Sequence, residues 1–228
     1  MKRFFTRAKN TGNPTDSVVD ESAGRPSNLK VIPASTSDIP DMISVWYAAF
    51  TSPSLRRMFP DTPSVRKWWE DGIREDLLRK PQQTYLKVID TNAHGRMVAY
   101  AKWDLGSMEA RGPRALPFDR EEMDREACGE FYARMDRERK RLMGDRKHYF
   151  LDMLATHPDY QGQGAGSMLV RWGCALADKD GVPAYVDASG AGKPLYEKFG
   201  FVDRSERQHR GEGIEVAMVR ETGHNHSG

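Results

Sequence analysis

The sequence contains little cysteine and no long apolar run. Cys128 and Cys174 are the only cysteines among 228 residues, and neither lies directly beside a residue that binds metals. We therefore expect two small buried or half-buried thiols in a reducing compartment rather than a disulfide, and no metal site. No apolar run approaches the roughly 20 residues of a membrane-spanning helix, so we expect no association with membranes.

The sequence also lacks an excess of charge of one sign. It has 35 Lys and Arg against 33 Asp and Glu, a net charge of +2. Both signs are interleaved along the most charged stretch, residues 118–143, which indicates a solvated helix face rather than a nucleic-acid patch. We therefore expect no nucleic-acid partner.

The length and the distribution of polar residues predict one domain between two tails. Residues 1–26 are polar and show no periodicity, which predicts a disordered tail, and we expect residues 222–228 to form a C-terminal tail. Residues 27–221 suit a single domain. The basic first residues lack the apolar core of about 7 residues that a secretory signal needs, so we expect a cytoplasmic protein, with a mitochondrial presequence as the alternative.

Apolar periodicity predicts alternating strands and helices within this domain. Runs of β-forming residues predict strands at 29–33, 84–89, 97–103, 149–155, 183–188, 201–202 and 214–219. Apolar residues at helical spacing predict helices at 39–50, 64–77, 118–143, 168–180 and 194–199. A loop and the long charged helix together form an insertion at residues 105–147, before the fourth strand.

The fourth strand leads into a glycine-rich loop and then a helix. The loop spans residues 161–166, after a short turn that contains Pro158. Glycines let a ligand approach the backbone, and the first N–H groups of a helix have no partner inside it. This arrangement predicts a site for phosphate or pyrophosphate.

Three known phosphate-binding patterns resemble this loop. A Walker A loop needs Lys after its last glycine, whereas Gly166 is followed by Ser167. The spacing of the glycines is one residue too tight for the dinucleotide fingerprint, and the loop lies too late in the chain. The third pattern is Gln/Arg-x-x-Gly-x-Gly/Ala, and it is matched at every specified position by Gln161-Gly162-Gln163-Gly164-Ala165-Gly166.

That third pattern is the pyrophosphate loop of the GCN5-related N-acetyltransferases (GNATs), which this chain resembles over residues 29–220. A second family-like segment is Leu195-Tyr196-Glu197-Lys198-Phe199-Gly200-Phe201. The turn formed by Pro158, Asp159 and Tyr160 looks most like that of fungal members. The resemblance implies the GNAT fold, an α/β (layered α+β) domain in which helices flank a mixed, mostly antiparallel central sheet. It also implies direct transfer of an acetyl group from acetyl-CoA to an amine, without a metal.

The same resemblance implies a set of cofactor-binding residues. Backbone N–H groups from Gln163 to Ser167 would hold the pyrophosphate, and the fourth strand, splayed from the fifth, would pair with pantetheine. The N–H of Leu154 would serve as an oxyanion donor. The full expected set is Leu154, Ala155, Thr156, Gln161, Gly162, Gln163, Gly164, Ala165, Gly166, Ser167, Ser189 and Tyr196. Ser189 replaces the Asn that is frequent in the family, and Gly192 replaces an Ala.

Two residues are candidates for proton transfer. A tyrosine with an ordinary pKa of about 10 holds its proton at neutral pH, so Tyr196 is the candidate general acid, with packing as the alternative role. Asp152 is the candidate general base, because it precedes Leu154 by two residues and residues two apart share a face of a strand. Asp152 facing solvent or pairing with a neighbour is the alternative. Asp187 is a further candidate base, and we expect His157 to be a turn residue.

The resemblance also implies an acceptor pocket formed by the first two helices and the loops near the third and fourth strands, which the inserted segment would help to line. Phe50, Trp68 and Trp103 are predicted to line it, together with Asp187, although core packing accounts equally well for the aromatic residues. An aromatic lining suits a small, partly apolar amine, and the inserted helix favours such a substrate over a protein or peptide. A non-catalytic acyl-CoA-binding module and a nucleotide-binding module stay open as alternatives. We expect a monomer or a homodimer.

Overall fold

A computed structural model describes residues 28–106, 116–206 and 216–223. The predicted tail at residues 1–26 lies outside this range, as do most of the predicted tail at 222–228 and part of the predicted insertion. The statements below concern the described residues.

The centre of the domain is a seven-stranded sheet in the order β1-β2-β3-β4-β5-β7-β6. Its strands are β1 (Leu29–Pro33), β2 (Gln83–Asp90), β3 (Arg96–Asp104), β4 (Tyr149–Thr156), β5 (Ala184–Ala188), β6 (Val202–Asp203) and β7 (Val216–Arg220). Neighbouring strands are antiparallel except β4 and β5, which are parallel. The mixed, mostly antiparallel sheet that we expected is confirmed.

Helices cover both faces of the sheet. They are α1 (Ile39–Ala49), α2 (Pro53–Met58), α3 (Pro63–Arg79), α4 (Arg125–Met143), α5 (Ala165–Asp180) and α6 (Lys193–Glu197). Helix α5 packs on β1 to β4 over one apolar cluster, which also includes Tyr196 of α6. Helices α1 and α3 pack on the opposite face over a second cluster, which α4 completes through Cys128.

Side-chain caps decide where three of these helices begin. Ser52 Oγ accepts a hydrogen bond from Leu55 N, and Pro53 occupies the first helical position, so α2 forms between the two predicted helices at 39–50 and 64–77. Thr62 Oγ1 accepts from Val65 N, so α3 starts at Pro63, one residue before the predicted helix at 64–77. Asp124 accepts from Ala127 N, so α4 begins well after residue 118.

Two irregularities in β4 position the site. Lys102 of β3 pairs with Met153, whereas Trp103 pairs with Leu151, so Asp152 is the extra residue of a β-bulge. Strand β4 pairs with β5 only from Tyr149 to Leu151. Beyond Leu151 the two strands separate and leave a cleft at this end of the sheet.

Both cysteines are buried and free, as predicted. Burial raises the pKa of Cys128 to about 11 and that of Cys174 to about 12. In the described ranges, no helix is both long enough and apolar enough to cross a membrane. The same ranges hold no group of three or more His, Cys, Asp or Glu side chains that is arranged to bind a metal ion.

Candidate active site

A cavity of about 1740 Å³ opens where β4 and β5 separate. Ligand pockets commonly measure about 300–1,000 Å³, so this cleft has room for more than one small ligand. The glycine loop, the splayed strands and α6 line one part of it, and α1, α3 and α4 line another. The cleft therefore joins the expected cofactor site to the expected acceptor pocket.

The glycine loop has the backbone shape of an anion site. Gly162 and Gly164 have φ of +75° and +93°, which side-chain-bearing residues rarely adopt. Gly164 is the N-cap of α5, and no side chain caps this helix end. The first N–H groups of α5, at Ala165, Gly166 and Ser167, thus have no partner inside the helix, and these residues line the cleft.

Side-chain hydrogen bonds brace the loop from outside. Gln161 Nε2 donates to the carbonyl oxygen of Thr156 at 3.3 Å, and Gln163 Nε2 donates to that of Asp159 at 2.6 Å. Both glutamines therefore bind the backbone before the loop. Their amides hold the turn, while the helix N-terminus is left to face the cleft.

Gly166 lets α5 approach β4 closely. A Cβ atom at this position would lie 3.4 Å from both Thr156 Oγ1 and Leu195 Cδ2. The small residue keeps the helix N-terminus beside the open end of β4. Leu154, Ala155 and Thr156 line the cleft there, beyond the last residue of β4 that pairs with β5.

Tyr196 lies at the same end of the cleft. It is 6% exposed and packs edge-on against Phe201, with ring centroids 5.9 Å apart. Burial raises the pKa of its hydroxyl far above the ordinary value. The phenol therefore stays protonated through the neutral range, as a general acid must.

The positions where the sequence departs from the family pattern contact one another. Ser189 Oγ accepts from Gly192 N at 3.1 Å, so the serine stabilises the turn before α6. A Cβ atom at Gly192 would lie 3.2 Å from that oxygen and 3.3 Å from Cε2 of Tyr196. Gly192 therefore leaves space for the Tyr196 ring, and Ser189 lines the cleft beside it.

The β-bulge corrects the predicted orientation of Asp152. Leu154 packs against the cluster under α5, whereas Met153 packs against the cluster on the opposite face. Asp152 contacts Lys102 on that opposite face, because the extra residue interrupts the alternation of side chains. Asp152 and Leu154 thus line the same cleft but lie on different faces of the sheet.

A buried chain of charges ends at Asp152. Lys102 Nζ lies 2.8 Å from Asp152 Oδ2 and 2.7 Å from Asp76 Oδ2. Asp76 Oδ1 lies 2.8 Å from Lys80 Nζ, and Oδ2 accepts from the hydroxyl of Tyr85 at 2.9 Å. All of these residues line the cleft.

Lys102 keeps its charge despite its burial. Burial opposes the ammonium form, but the charges of Asp152 and Asp76 raise the pKa of Lys102 well above its ordinary value. Sequence reasoning missed Lys102, although a lysine in an apolar strand, between Ala101 and Trp103, is a signal that such a residue has a buried partner.

Of the other two polar candidates, Asp187 lines the cleft and His157 does not. Asp187 lines the cleft on β5, beyond the last residue that pairs with β4, and accepts from the hydroxyl of Tyr185 at 2.7 Å. His157 begins the short turn before the loop, where its Nδ1 accepts from Asp159 N at 3.3 Å. It does not line the cleft.

Of the aromatic residues predicted at the acceptor pocket, Phe50 and Trp68 line the cleft and Trp103 does not. Trp103 is fully buried, and its Nε1 donates to the carbonyl oxygen of Leu169 in α5 at 3.3 Å. The alternation of β3 turns Trp103 toward α5, on the face opposite to Lys102. The prediction that Trp103 lines the acceptor pocket is therefore wrong, because its side chain lies in the core.

The predicted insertion closes part of the cleft. Leu116 and Pro117 line the cleft, and so do Phe131 and Tyr132 of α4. The carbonyl oxygen of Pro117 accepts from Trp68 Nε1 at 2.8 Å, which joins this loop to α3. The inserted helix therefore lies along the acceptor side of the cleft.

Part of the chain matches a known family, and solved structures share its fold. Residues 121–203 match the family model described as "Acetyltransferase (GNAT) domain". A structure of histone acetyltransferase HPA2 and related acetyltransferase from Corynebacterium glutamicum is 21% identical, with a TM-score of 0.57 over 87% of this chain and 98% of that chain.

Two further structures are similar at lower identity. Arylalkylamine N-acetyltransferase 2 from Aedes aegypti is 13% identical, with a TM-score of 0.58 over 86% of this chain and 100% of that chain. The PaiA N-acetyltransferase from Thermoplasma acidophilum, in complex with coenzyme A, is 12% identical, with a TM-score of 0.51 over 85% of this chain and 98% of that chain. The protein thus has the fold of the GNAT acetyltransferases, and residues 121–203 match their domain.

Proposed function

We propose that the protein is an N-acetyltransferase that transfers an acetyl group from acetyl-CoA to the amine of a small molecule, by direct attack in a ternary complex. The observation that carries this proposal is that the glycine loop, the open end of β4 and Tyr196 line one cleft. An anion site, an unpaired strand edge and a buried phenol are the parts that such a reaction needs.

The residues present fit a coenzyme A thioester. The N–H groups at the start of α5 would hold the pyrophosphate, and the backbone of residues 154–156 would hold the pantetheine arm. Ser189 and Tyr196 would flank the thiol end. The thioester supplies an activated acyl group and a thiolate leaving group, and the coenzyme A in the related PaiA structure supports this choice of cofactor.

The chain's own groups supply the remaining chemistry. The N–H of Leu154 stabilises the oxyanion that develops on the carbonyl, a contribution of about 3–4 kcal/mol for such donors. Asp152 accepts a proton from the incoming ammonium, directly or through a water molecule, with Asp187 as the other candidate. Tyr196 donates its proton to the departing sulfur, and its oxygen then takes the second proton from the attacking nitrogen, so neutral amide and thiol leave and Asp152 releases its proton to solvent.

The position of α4 favours a small acceptor. This helix occupies the side of the cleft where a protein or peptide chain would need an open groove. Related structures include both an arylalkylamine acetyltransferase and an acetyltransferase described as acting on histones. A protein or peptide acetyltransferase is the alternative that the cleft supports less well.

Four further expectations stay predictions: a cytoplasmic location, a monomer or homodimer, no nucleic-acid partner, and a likeness to fungal members of the family.

A thiol-release assay with acetyl-CoA and a panel of arylamines, amino sugars, polyamines, amino acids and peptides tests the proposal. We expect release that depends on one class of small amine. Binding of acetyl-CoA without release for any amine would instead indicate a non-catalytic acyl-CoA-binding module.

A further inference from the structure

One wall of the cleft presents aromatic rings that are not fully buried. Phe50, Trp69, Phe131 and Tyr132 all line the cleft, and all are partly exposed. They come from the end of α1, from α3 and from α4. Partly exposed aromatic rings gathered in a concave site are typical of a pocket for a ligand with an apolar body.

Buried rings hold this wall in place. Trp46 is 3% exposed, and its ring centroid lies 5.3 Å from that of Phe50 and 5.0 Å from that of Trp69. Phe59 is 1% exposed and lies 5.3 Å from Trp69 and 6.4 Å from Tyr132. The exposed rings are therefore fixed before any ligand binds, which lowers the entropic cost of binding.

The ion-paired side chains give the same cleft a second, polar element. Positive and negative charges alternate along this group, from Lys80 through Asp76 and Lys102 to the carboxylate of Asp152 at the bulge. Asp152 belongs to β4, whereas the rings belong to the end of α1, to α3 and to α4, so the two elements are separate parts of the lining. A ligand that contacts both elements therefore needs an arm between its apolar body and its charge.

From this arrangement we infer that the acceptor is an arylalkylamine. Its ring packs against Phe50, Trp69 and Tyr132, and its primary ammonium lies toward Asp152. This inference rests on the proposed function and names its substrate class. A polyamine would leave the aromatic wall without a matching group, and a peptide would need the space that α4 occupies.

The test compares three acceptors and two matched variants of the full chain. The acceptors are 2-phenylethylamine, 2-cyclohexylethylamine and spermidine. The first has an aromatic ring, the second an apolar ring of similar size that is not aromatic, and the third has amine charges but no ring. Trp69→Leu removes one ring of the wall. Trp172→Leu is the control, because Trp172 is also partly buried but belongs to α5, packs against the cluster between α5 and the sheet, and does not line the cleft.

Wild-type protein should prefer 2-phenylethylamine in kcat/KM. Trp69→Leu should raise KM for this amine roughly 3- to 10-fold and change kcat less than about twofold, because it removes a ring contact and no reacting group. The effect on 2-cyclohexylethylamine should be smaller, and Trp172→Leu should alter neither. If Trp69→Leu does not fold, Phe50→Leu replaces it with the same expectation.

Calorimetric titration of each amine into CoA-saturated protein separates this inference from the proposed function. If 2-phenylethylamine binds with an affinity that Trp69→Leu weakens, but no amine is acetylated, the aromatic site stands and acetyl transfer fails. If spermidine or a peptide is the preferred acceptor, acetyl transfer stands and the arylalkylamine site is overturned. Absence of both binding and turnover with aromatic amines overturns the inference as well.

Discussion

Lys102 and Asp152 form an ion pair of 2.8 Å across the bulge between β3 and β4. The same ammonium lies 2.7 Å from Asp76, so one buried cation joins two strands of the sheet to α3. Side chains of this ion-pair group are nearly buried, at 9% exposure for Lys102 and 12% for Asp152. The pair therefore fixes the position of the candidate base and part of the acceptor side of the fold together.

Replacing Lys102 with Met should lower the free energy of unfolding by about 3–5 kcal/mol, because two buried carboxylates lose their shared cation. Urea denaturation measures this loss. Lys67→Met is the control, since the pair of Lys67 with Asp71 is largely exposed and such pairs contribute about 0–1 kcal/mol. Equal losses in the two variants would show that the buried pair has no special role.

The stabilisation from Lys102 should not depend on pH in the neutral range. Its pKa is raised in the folded state, so its contribution is complete below the unfolded value of about 10.4 and is lost as the pH rises through the higher folded value. The difference in unfolding free energy between wild type and Lys102→Met should thus be constant from about pH 6 to 9. A difference that shrinks across this window would contradict the pairing.

Gly164→Ala should weaken both the fold and the cofactor site. The φ of +93° at this residue strains any side chain by about 1–2 kcal/mol, although no atom lies within 4 Å of the added Cβ. Gly95→Ala is a matched control with φ of +76°, away from the cleft. Both variants should lose stability on thermal denaturation, but only Gly164→Ala should raise the Kd for acetyl-CoA. The anion-site assignment fails if neither variant changes that Kd.

Gly173→Ala should disrupt the contact between α5 and β3. A Cβ atom there would lie 2.1 Å from the Trp103 ring, so overpacking should cost about 1–3 kcal/mol or more in unfolding free energy. Adding Trp103→Leu to this variant should recover part of the loss, because the smaller side chain vacates the space. Urea denaturation of the two single variants and the double variant measures this coupling. If the losses in unfolding free energy from Gly173→Ala and Trp103→Leu were simply additive, the contact would be contradicted.

Tyr196→Phe should lower kcat by about 10²- to 10⁴-fold, the range for general acid catalysis, while acetyl-CoA still binds. In wild type, burial raises the pKa of the Tyr196 hydroxyl, so the phenol keeps its proton as the pH rises. Loss of this proton should therefore cause no decrease in kcat at any pH up to about 10. Stopped thiol-release measurements across pH record both effects. Unchanged kcat in Tyr196→Phe would limit Tyr196 to packing.

Local pattern predicted much of this fold. The alternation in residues 97–103 and the helical spacing after the glycine loop need only neighbouring residues, and β3 and α5 formed where those patterns indicated. The loop was found for the same reason, because its glycine spacing is a local property. Gly162 and Gly164 indeed have the positive φ that such spacing requires.

Features that depend on distant pairing were not predictable in this way. The face on which Asp152 lies is set by the register of β4 against β3, and a bulge there changes the face without any local signal. Trp103 and Trp68 are equally apolar in the sequence, yet one packs under α5 and the other lines the cleft. The partners of Lys102 come from α3 and β4, far apart in the chain.

Calorimetric titration of the full-length protein with acetyl-CoA, ATP and NAD tests the central claim most directly. We predict heat of binding at a single site for acetyl-CoA and none at comparable concentrations of ATP or NAD. Heat with ATP or NAD, and none with acetyl-CoA, would contradict the assignment of this cleft to a coenzyme A thioester.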